Sequence, residues 1–108
     1  MTPELQQSVK EFHPELAWKR LAGSLLASKH RPEGLLQRIN VLNKHKPTWL
    51  AALENLRLPS EVKLDDILDS IVGISVAHAI SQGPSYKNKF PEGDPPKDER
   101  GLGMEIWF

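Results

Sequence analysis

The chain has no cysteine and no long apolar run, and these absences exclude several classes of protein. Without cysteine among its 108 residues, neither a disulfide nor a thiolate metal site can form. No apolar run reaches the roughly 20 residues that a membrane-spanning helix needs. The N-terminus is polar and does not resemble a signal peptide. We therefore expect a cytoplasmic protein that does not bind a membrane.

The chain also lacks an excess of either charge. Lysine plus arginine and aspartate plus glutamate each number 14, so no overall basicity indicates nucleic-acid binding. Any such function has to be argued from local features. At this length we expect a single domain, residues 1–108, with a modest core.

Prolines and periodic leucines predict a mostly helical chain. Proline favours the first position of a helix, which predicts helix starts at Pro3, Pro14, Pro32 and Pro47. The second of these helices, residues 15–21, should end at Gly23.

Short strands are expected towards the two ends of the chain. Residues 9–12 form a plausible strand, which His13 and Pro14 stop. The alternation in residues 102–107 predicts a closing strand. Residues 24–31 fit either a loop or a strand. Residues 84–101 contain four prolines and are expected to form a surface loop without strand pairing.

The longest apolar stretch, residues 64–81, predicts a helix with one carboxylate on its apolar flank. Apolar residues cover more than half of its circumference, which predicts that other elements cover it on more than one side. Asp66 falls in the narrow polar sector, whereas Asp69 lies between Val72 and Val76. A carboxylate at that position must be paired, protonated or bound to a cation, because burying it bare costs too much. A metal-binding acidic site is therefore the first hypothesis.

Asp65 and Asp66 also have a purely structural interpretation. Aspartates in the first turn of a helix cap free N–H groups and complement the helix dipole. Because residues three and four apart share a face, Asp69 can converge with Asp66 or Asp65, but not with both equally. Like charges placed in this way repel unless a cation or a shared proton lies between them. The three aspartates are therefore candidate metal ligands.

A second pair of carboxylates flanks the predicted junction between strand 9–12 and the following helix. Glu11 lies in the strand, and Glu15 lies in the first turn of the helix, where an acid is also ordinary. Such a rim is where sites of α/β proteins gather. Either Glu11 or Glu15 would add the further carboxylate ligand that a Mg²⁺ or Mn²⁺ site needs. Two such ions hold the attacking and leaving oxygens of a phosphodiester.

Two basic clusters are candidates for contacts with a phosphate backbone. The first is Lys29, His30 and Arg31, and the second is residues 44–46 at the end of a predicted helix. For both clusters a solvated surface or a favourable charge at a helix end is the more common role.

Several motifs occur in an order that resembles one family. They are EFHPEL at residues 11–16, SKH and PEG between residues 28 and 34, DDILDS at residues 65–70, GDPP at residues 93–96, DERGL at residues 98–102 and MEIWF at residues 104–108. This series resembles an uncharacterised family that is classed as a domain of unknown function. Its members are predicted nucleases with an RNase H-like fold. The resemblance covers nearly the whole chain.

The resemblance implies an αβα layered fold, of which this chain would be the C-terminal part. We accordingly expect an α/β chain that is mostly helical with one or two short strands. The active carboxylates of the family are an Asp on the first strand, a Glu at the end of the fourth and an Asp or Asp pair on the last helix. The second of these corresponds to Glu11 or Glu15, and the third to Asp66 and Asp69 with Asp65 adjacent. The leading Asp has no counterpart, because Met1 falls at a point that is internal in the longer family members.

We therefore expect the chain alone to be inactive and self-associating, since the strand at residues 9–12 would keep an unpaired edge. Three origins would each explain why the leading strand and its Asp are missing: a truncated gene, a start codon placed too late, or a split protein completed by another chain or an N-terminal segment. Two functional classes stay open. One is a divalent-metal nuclease acting on DNA or RNA. The other is a non-enzymatic binding or interaction module in which the aspartates are caps and ion-pair partners.

Overall fold

Helices dominate the computed structural model, which describes residues 2–6, 9–55, 57 and 59–108. The helices are α1 (Pro3–Gln6), α2 (Pro14–Ala22), α3 (Pro32–His45), α4 (Pro47–Ala51) and α5 (Leu64–Ser81), with a 3-10 turn at Ala52–Asn55. Two strands, β1 (Lys89–Phe90) and β2 (Ile106–Trp107), pair antiparallel. The chain is an α/β protein, mostly helical with short strands, as the sequence predicted.

Proline and glycine set the helix boundaries as expected. Each of the first four helices begins at its predicted proline. Gly23 ends α2 with φ 80°, and its N–H donates to the carbonyl of Lys19. A left-handed conformation of this kind is accessible to glycine at little cost, which explains the stop at this position. Of the two alternatives for residues 24–31, the structure shows a loop.

The predicted strand at residues 9–12 is reduced to a single parallel bridge between Phe12 and Trp107. The N–H of Trp107 donates to the carbonyl of Glu11 at 2.9 Å, and the N–H of His13 donates to the carbonyl of Trp107 at 3.2 Å. The prediction of a regular strand was wrong because β2, its only partner among the described residues, is two residues long.

The end of the chain differs from the prediction in two further ways. The closing strand expected over residues 102–107 is shortened to β2, since the N–H groups of Leu102 and Met104 donate to Asp98 Oδ1 and the Pro96 carbonyl instead. The proline-rich loop contains β1, which was not predicted. β1 pairs only with β2 and precedes Pro91, a position at which an edge strand tolerates proline.

Helix α5 lies at the centre of the core. Its buried apolar residues are joined by residues of α2, α3 and β2; together they are Ala17, Trp18, Leu42, Leu68, Ile71, Val72, Val76 and Trp107. Both α2 and α3 contact α5, so the prediction that this helix is covered on more than one side is confirmed. Within the part of the chain that the structure describes, no helix combines the length and the apolarity needed to cross a bilayer.

Candidate cation site on helix α5

Three carboxylates of α5 converge on the ammonium group of Lys29. Its Nζ lies 2.8 Å from Asp69 Oδ2, 3.7 Å from Asp65 Oδ2 and 3.9 Å from Asp66 Oδ1. The side chains of Asp65 and Asp69 are only 12 and 13% exposed, whereas that of Asp66 is 66% exposed. The structure therefore brings the three aspartates singled out from the sequence around one positive charge.

Asp69 has a hydrogen-bond partner on each of its carboxylate oxygens. The indole Nε1 of the fully buried Trp18 donates to Oδ1 at 2.7 Å, and Lys29 donates to Oδ2 at 2.8 Å. Of the three states that the sequence allowed for this carboxylate, the structure shows the paired one. A neutral donor thus fixes the orientation of the group, and a cation neutralises its charge.

Asp65 does not cap α5. Lys63 occupies the N-cap position, and no side-chain hydrogen bond caps the helix there. Asp65 faces the loop instead, where its Oδ2 lies 3.7 Å from Lys29 Nζ and 3.9 Å from His30 Nδ1. The capping interpretation of Asp65 was therefore wrong, although its position in the first turn still complements the helix dipole.

We expect Asp69→Asn to lower the free energy of unfolding by about 1–3 kcal/mol, because the charge-assisted bond to a partly buried ammonium is lost. Asp66→Asn is the matched control on the same helix. Asp66 is exposed and more distant from Lys29, so its loss should cost under about 1 kcal/mol. Urea denaturation of the two variants measures the difference, and equal effects would contradict the central position of Asp69.

The carboxylates raise the pKa of Lys29. The largest contribution is the hydrogen bond to Asp69; partial burial opposes it, and the negative charges of Asp69, Asp65 and Asp66 add to it. The ammonium form is therefore favoured well into the alkaline range. Lys29 is a resident counter-ion of the acidic cluster at neutral pH.

The stability that Lys29 contributes should be lost only at alkaline pH. A lysine whose pKa is raised on folding contributes fully below its ordinary value of 10.5, and the contribution disappears as the pH rises through the higher folded value. The urea midpoint of the wild type should therefore fall more steeply above pH 10.5 than that of Lys29→Met. Parallel pH profiles of the two proteins would show that the ion pairs contribute nothing.

The loop that carries Lys29 is fixed to α3. Arg38, which is buried, donates through Nη1 to the carbonyls of Ala27 at 2.8 Å and Gly34 at 3.0 Å. The N–H of Ala27 donates to Gln37 Oε1 at 2.7 Å. These bonds hold the backbone two residues before Lys29 and so position its side chain against α5.

Gly34 allows this close approach. A Cβ atom at Gly34 would lie 1.9 Å from the carbonyl oxygen of Ser28, which is far inside the contact distance of any real pair of atoms. The absence of a side chain at Gly34 is therefore a steric requirement of the docked loop.

Glu15 is directed to α3 rather than to the aspartates. Arg38 Nη2 donates to its Oε1 at 3.1 Å and its Oε2 at 2.9 Å. Glu15 nevertheless lies one helical turn before Trp18, the residue that contacts Asp69. The structure thus places Glu15 on the neighbouring helix α2, where it is engaged by another cation.

Glu11 lies on the opposite side of the sheet. The ring of Phe12 faces Gly73 of α5, and successive side chains of an extended segment point to opposite faces. Glu11 accordingly lines an outer cavity together with Phe90 and Met104. The structure does not bring Glu11 to the aspartates.

The three basic residues proposed as phosphate contacts have different roles in the structure. Lys29 belongs to the acidic cluster, whereas His30 and Arg31 are exposed beside it. The roles of Trp18 and Arg38 were not predicted from the sequence. An arginine among the apolar positions of α3 was the available signal for Arg38, whereas no local pattern indicates the bond from Trp18 to Asp69.

The donor set suits a hard cation, but Lys29 already supplies the positive charge between the donors. Carboxylate oxygens are the ligands that Mg²⁺ and Mn²⁺ prefer. Across residues 2–6, 9–55, 57 and 59–108, however, no group of three or more His, Asp or Glu side chains is arranged to hold a metal ion. A divalent ion would require Lys29 to leave.

One known protein family matches this chain over most of its length. Residues 1–95 match the family described as Protein of unknown function (DUF429). The chain belongs to this family. No curated protein and no solved structure matches it. Membership confirms the domain of unknown function that the motifs resemble, and the function of the DUF429 chain has to be argued from its site.

Proposed function

We propose that the DUF429 chain supplies the acidic helix of a cytoplasmic divalent-metal nuclease that uses Mg²⁺ or Mn²⁺. The convergence of Asp65, Asp66 and Asp69 on one positive charge supports this proposal. Three carboxylates around one ammonium leave an excess of negative charge, which favours exchange of Lys29 for an ion of higher charge. The resemblance of the motifs to predicted nucleases supplies the reaction class.

The residues of the chain would take distinct roles. Asp65, Asp66 and Asp69 would hold the ion, and Glu15 on the adjacent helix would be the further carboxylate. Trp18 is a positioning residue, since its indole fixes one oxygen of Asp69 and leaves the other for the cation. A bound divalent ion supplies Lewis-acid polarisation of a phosphodiester.

The loop of residues 24–31 would then contribute to phosphate binding. His30 and Arg31 are exposed next to the aspartates, and Lys29 released from the cluster would add a third cationic side chain. Arginine and lysine are both suited to phosphate oxygens. Displacement of Lys29 by a metal ion would therefore coincide with the capture of a polynucleotide.

Isothermal titration with Mn²⁺ tests the proposal, with cleavage of DNA and RNA as the second measurement. We expect the wild type to bind Mn²⁺, Asp69→Asn to bind at least about tenfold more weakly, equivalent to about 1.4 kcal/mol, and Asp66→Asn to be affected less. Failure of both the wild type and Lys29→Met to bind Mn²⁺ would overturn the metal site.

A non-enzymatic interaction module is the second candidate function. The observation that favours it is that both oxygens of Asp69 already accept hydrogen bonds within the chain. In that case the aspartates hold the 24–31 loop against α5 and bind no metal. Asp69→Asn separates the two functions, because the module predicts loss of stability with no dependence on Mn²⁺ before or after the substitution.

A further inference from the structure

Trp18 holds one oxygen of Asp69 from inside the core. Its side chain is fully buried, and its Nε1 donates to Asp69 Oδ1 at 2.7 Å. The guanidinium carbon of the buried Arg38 lies 5.8 Å from the centre of the Trp18 ring. A side chain packed in this way cannot turn without rearranging its neighbours. The bond from Trp18 to Oδ1 is therefore a fixed feature of the site.

The resident cation uses the other oxygen of Asp69. Within the described part of the chain, Lys29 Nζ donates to Asp69 Oδ2 at 2.8 Å and makes no hydrogen bond to Oδ1. A carboxylate that binds an ion through both oxygens places the ion between them, where it competes with the indole N–H for Oδ1. Binding through Oδ2 alone avoids this competition. Asp69 is thus arranged to offer a cation a single oxygen.

A single oxygen from Asp69 suits Mg²⁺ and Mn²⁺ better than Ca²⁺. Mg²⁺ demands a near-ideal octahedron, needs only one or two carboxylates and keeps several waters. Mn²⁺ also suits an octahedron of oxygen ligands. Ca²⁺ is larger, takes roughly six to eight oxygens and accepts carboxylates that bind through both oxygens. A site that restricts a carboxylate to one oxygen therefore disfavours Ca²⁺.

We infer that Trp18 determines which divalent ion the aspartate site accepts, in favour of Mg²⁺ and Mn²⁺ and against Ca²⁺. The inference rests on the proposed function, because it takes Asp69 as a ligand. Trp18 acts through Asp69 and not on the ion, so it is a positioning residue. Removing its N–H frees Oδ1, and Asp69 can then bind a larger ion through both oxygens.

Isothermal titration with Mn²⁺ and Ca²⁺ tests the inference in the Lys29→Met background, where the ammonium no longer competes. We expect Mn²⁺ to bind at least about tenfold more tightly than Ca²⁺. Adding Trp18→Phe retains an aromatic ring and removes the N–H, and it should reduce this ratio by about tenfold. The ratio is the decisive quantity, because a general loosening of the site weakens the binding of both ions alike.

Trp107→Phe in the same background is the matched control. Trp107 is also buried and also donates to a carboxylate, Glu105 Oε1 at 3.2 Å, outside the aspartate cluster. Its replacement should leave the ratio unchanged, and circular dichroism checks that both variants fold. An unchanged ratio with Trp18→Phe, or an equal change with Trp107→Phe, would overturn the role of Trp18 and leave the metal site standing. Binding of neither ion to Lys29→Met would overturn the proposed function and this inference with it.

The indole proton of Trp18 gives a second measurement, which decides the matter if Trp18→Phe does not fold. In the nuclear magnetic resonance spectrum of Lys29→Met, this proton should remain downfield and exchange slowly with solvent when Mg²⁺ is at saturation, because the bond to Oδ1 persists. Loss of the downfield shift on addition of Mg²⁺ would show that the ion takes both oxygens of Asp69, and would overturn the inference.

Discussion

Lys29→Met should lower the free energy of unfolding by about 2–4 kcal/mol at neutral pH. The substitution keeps most of the apolar stem and removes the charge that three carboxylates share. Two of these carboxylates are largely buried, and removing one partner from a buried pair typically costs about 3–5 kcal/mol. The partial exposure of Lys29 places the expected loss below the top of that range.

Urea denaturation at pH 7 measures this loss, and Lys44→Met is the matched control. Lys44 is exposed in the last turn of α3, where its loss should change stability by under about 1 kcal/mol. Adding Asp69→Asn to Lys29→Met should recover part of the lost stability, because it removes one of the repelling charges. Equal losses for Lys29→Met and Lys44→Met would show that the cluster does not depend on its counter-ion.

Gly34→Ala should destabilise the chain by about 3 kcal/mol, the upper part of the range for overpacking in a core. In an unobstructed helix interior, alanine in place of glycine stabilises by about 0.5–1 kcal/mol, so the expected sign is reversed. The reason is the carbonyl oxygen of Ser28, which lies 1.9 Å from the position of the new Cβ. Both atoms belong to rigid backbone segments, so neither can move aside cheaply.

The loop should leave α3 in Gly34→Ala and expose its basic residues. Trypsin should then cleave after Lys29 faster than in the wild type, at a protease concentration that leaves the rest of the chain intact. The bond after Arg31 resists trypsin because Pro32 follows it. Glu33→Ala, the neighbouring exposed position of α3, should leave both stability and cleavage unchanged. A Gly34→Ala variant as stable as the wild type would contradict the close packing of this loop.

The sequence predicted the helices well because their boundaries are local. Proline can begin a helix and glycine can end one without help from distant residues, as at Pro14 and Gly23. The apolar periodicity of residues 64–81 likewise predicted α5 without error. The strands were predicted poorly, since pairing depends on a partner. Among the described residues, residues 9–12 have only Trp107 to pair with. β1 is a strand because it pairs with β2, and its own composition does not predict it.

The candidate site was predicted in part. The position of Asp69 on an apolar flank correctly indicated that it requires a partner. The identity of that partner depends on how α2, the 24–31 loop and α5 pack, so neither Trp18 nor Lys29 could be assigned from the sequence. For the same reason Glu11 and Glu15 were equivalent candidates, although the structure places them on opposite sides of the sheet.

The response of Lys29→Met to Mn²⁺ tests most directly whether the aspartates of α5 form a cation site. In this variant the ammonium no longer competes, so a divalent ion should bind the freed carboxylates and stabilise the folded state by mass action. We expect Tm to rise with the concentration of Mn²⁺ and the rise to disappear in Lys29→Met/Asp69→Asn. A Tm that is independent of Mn²⁺ in Lys29→Met, or a rise that persists in the double variant, would contradict this account.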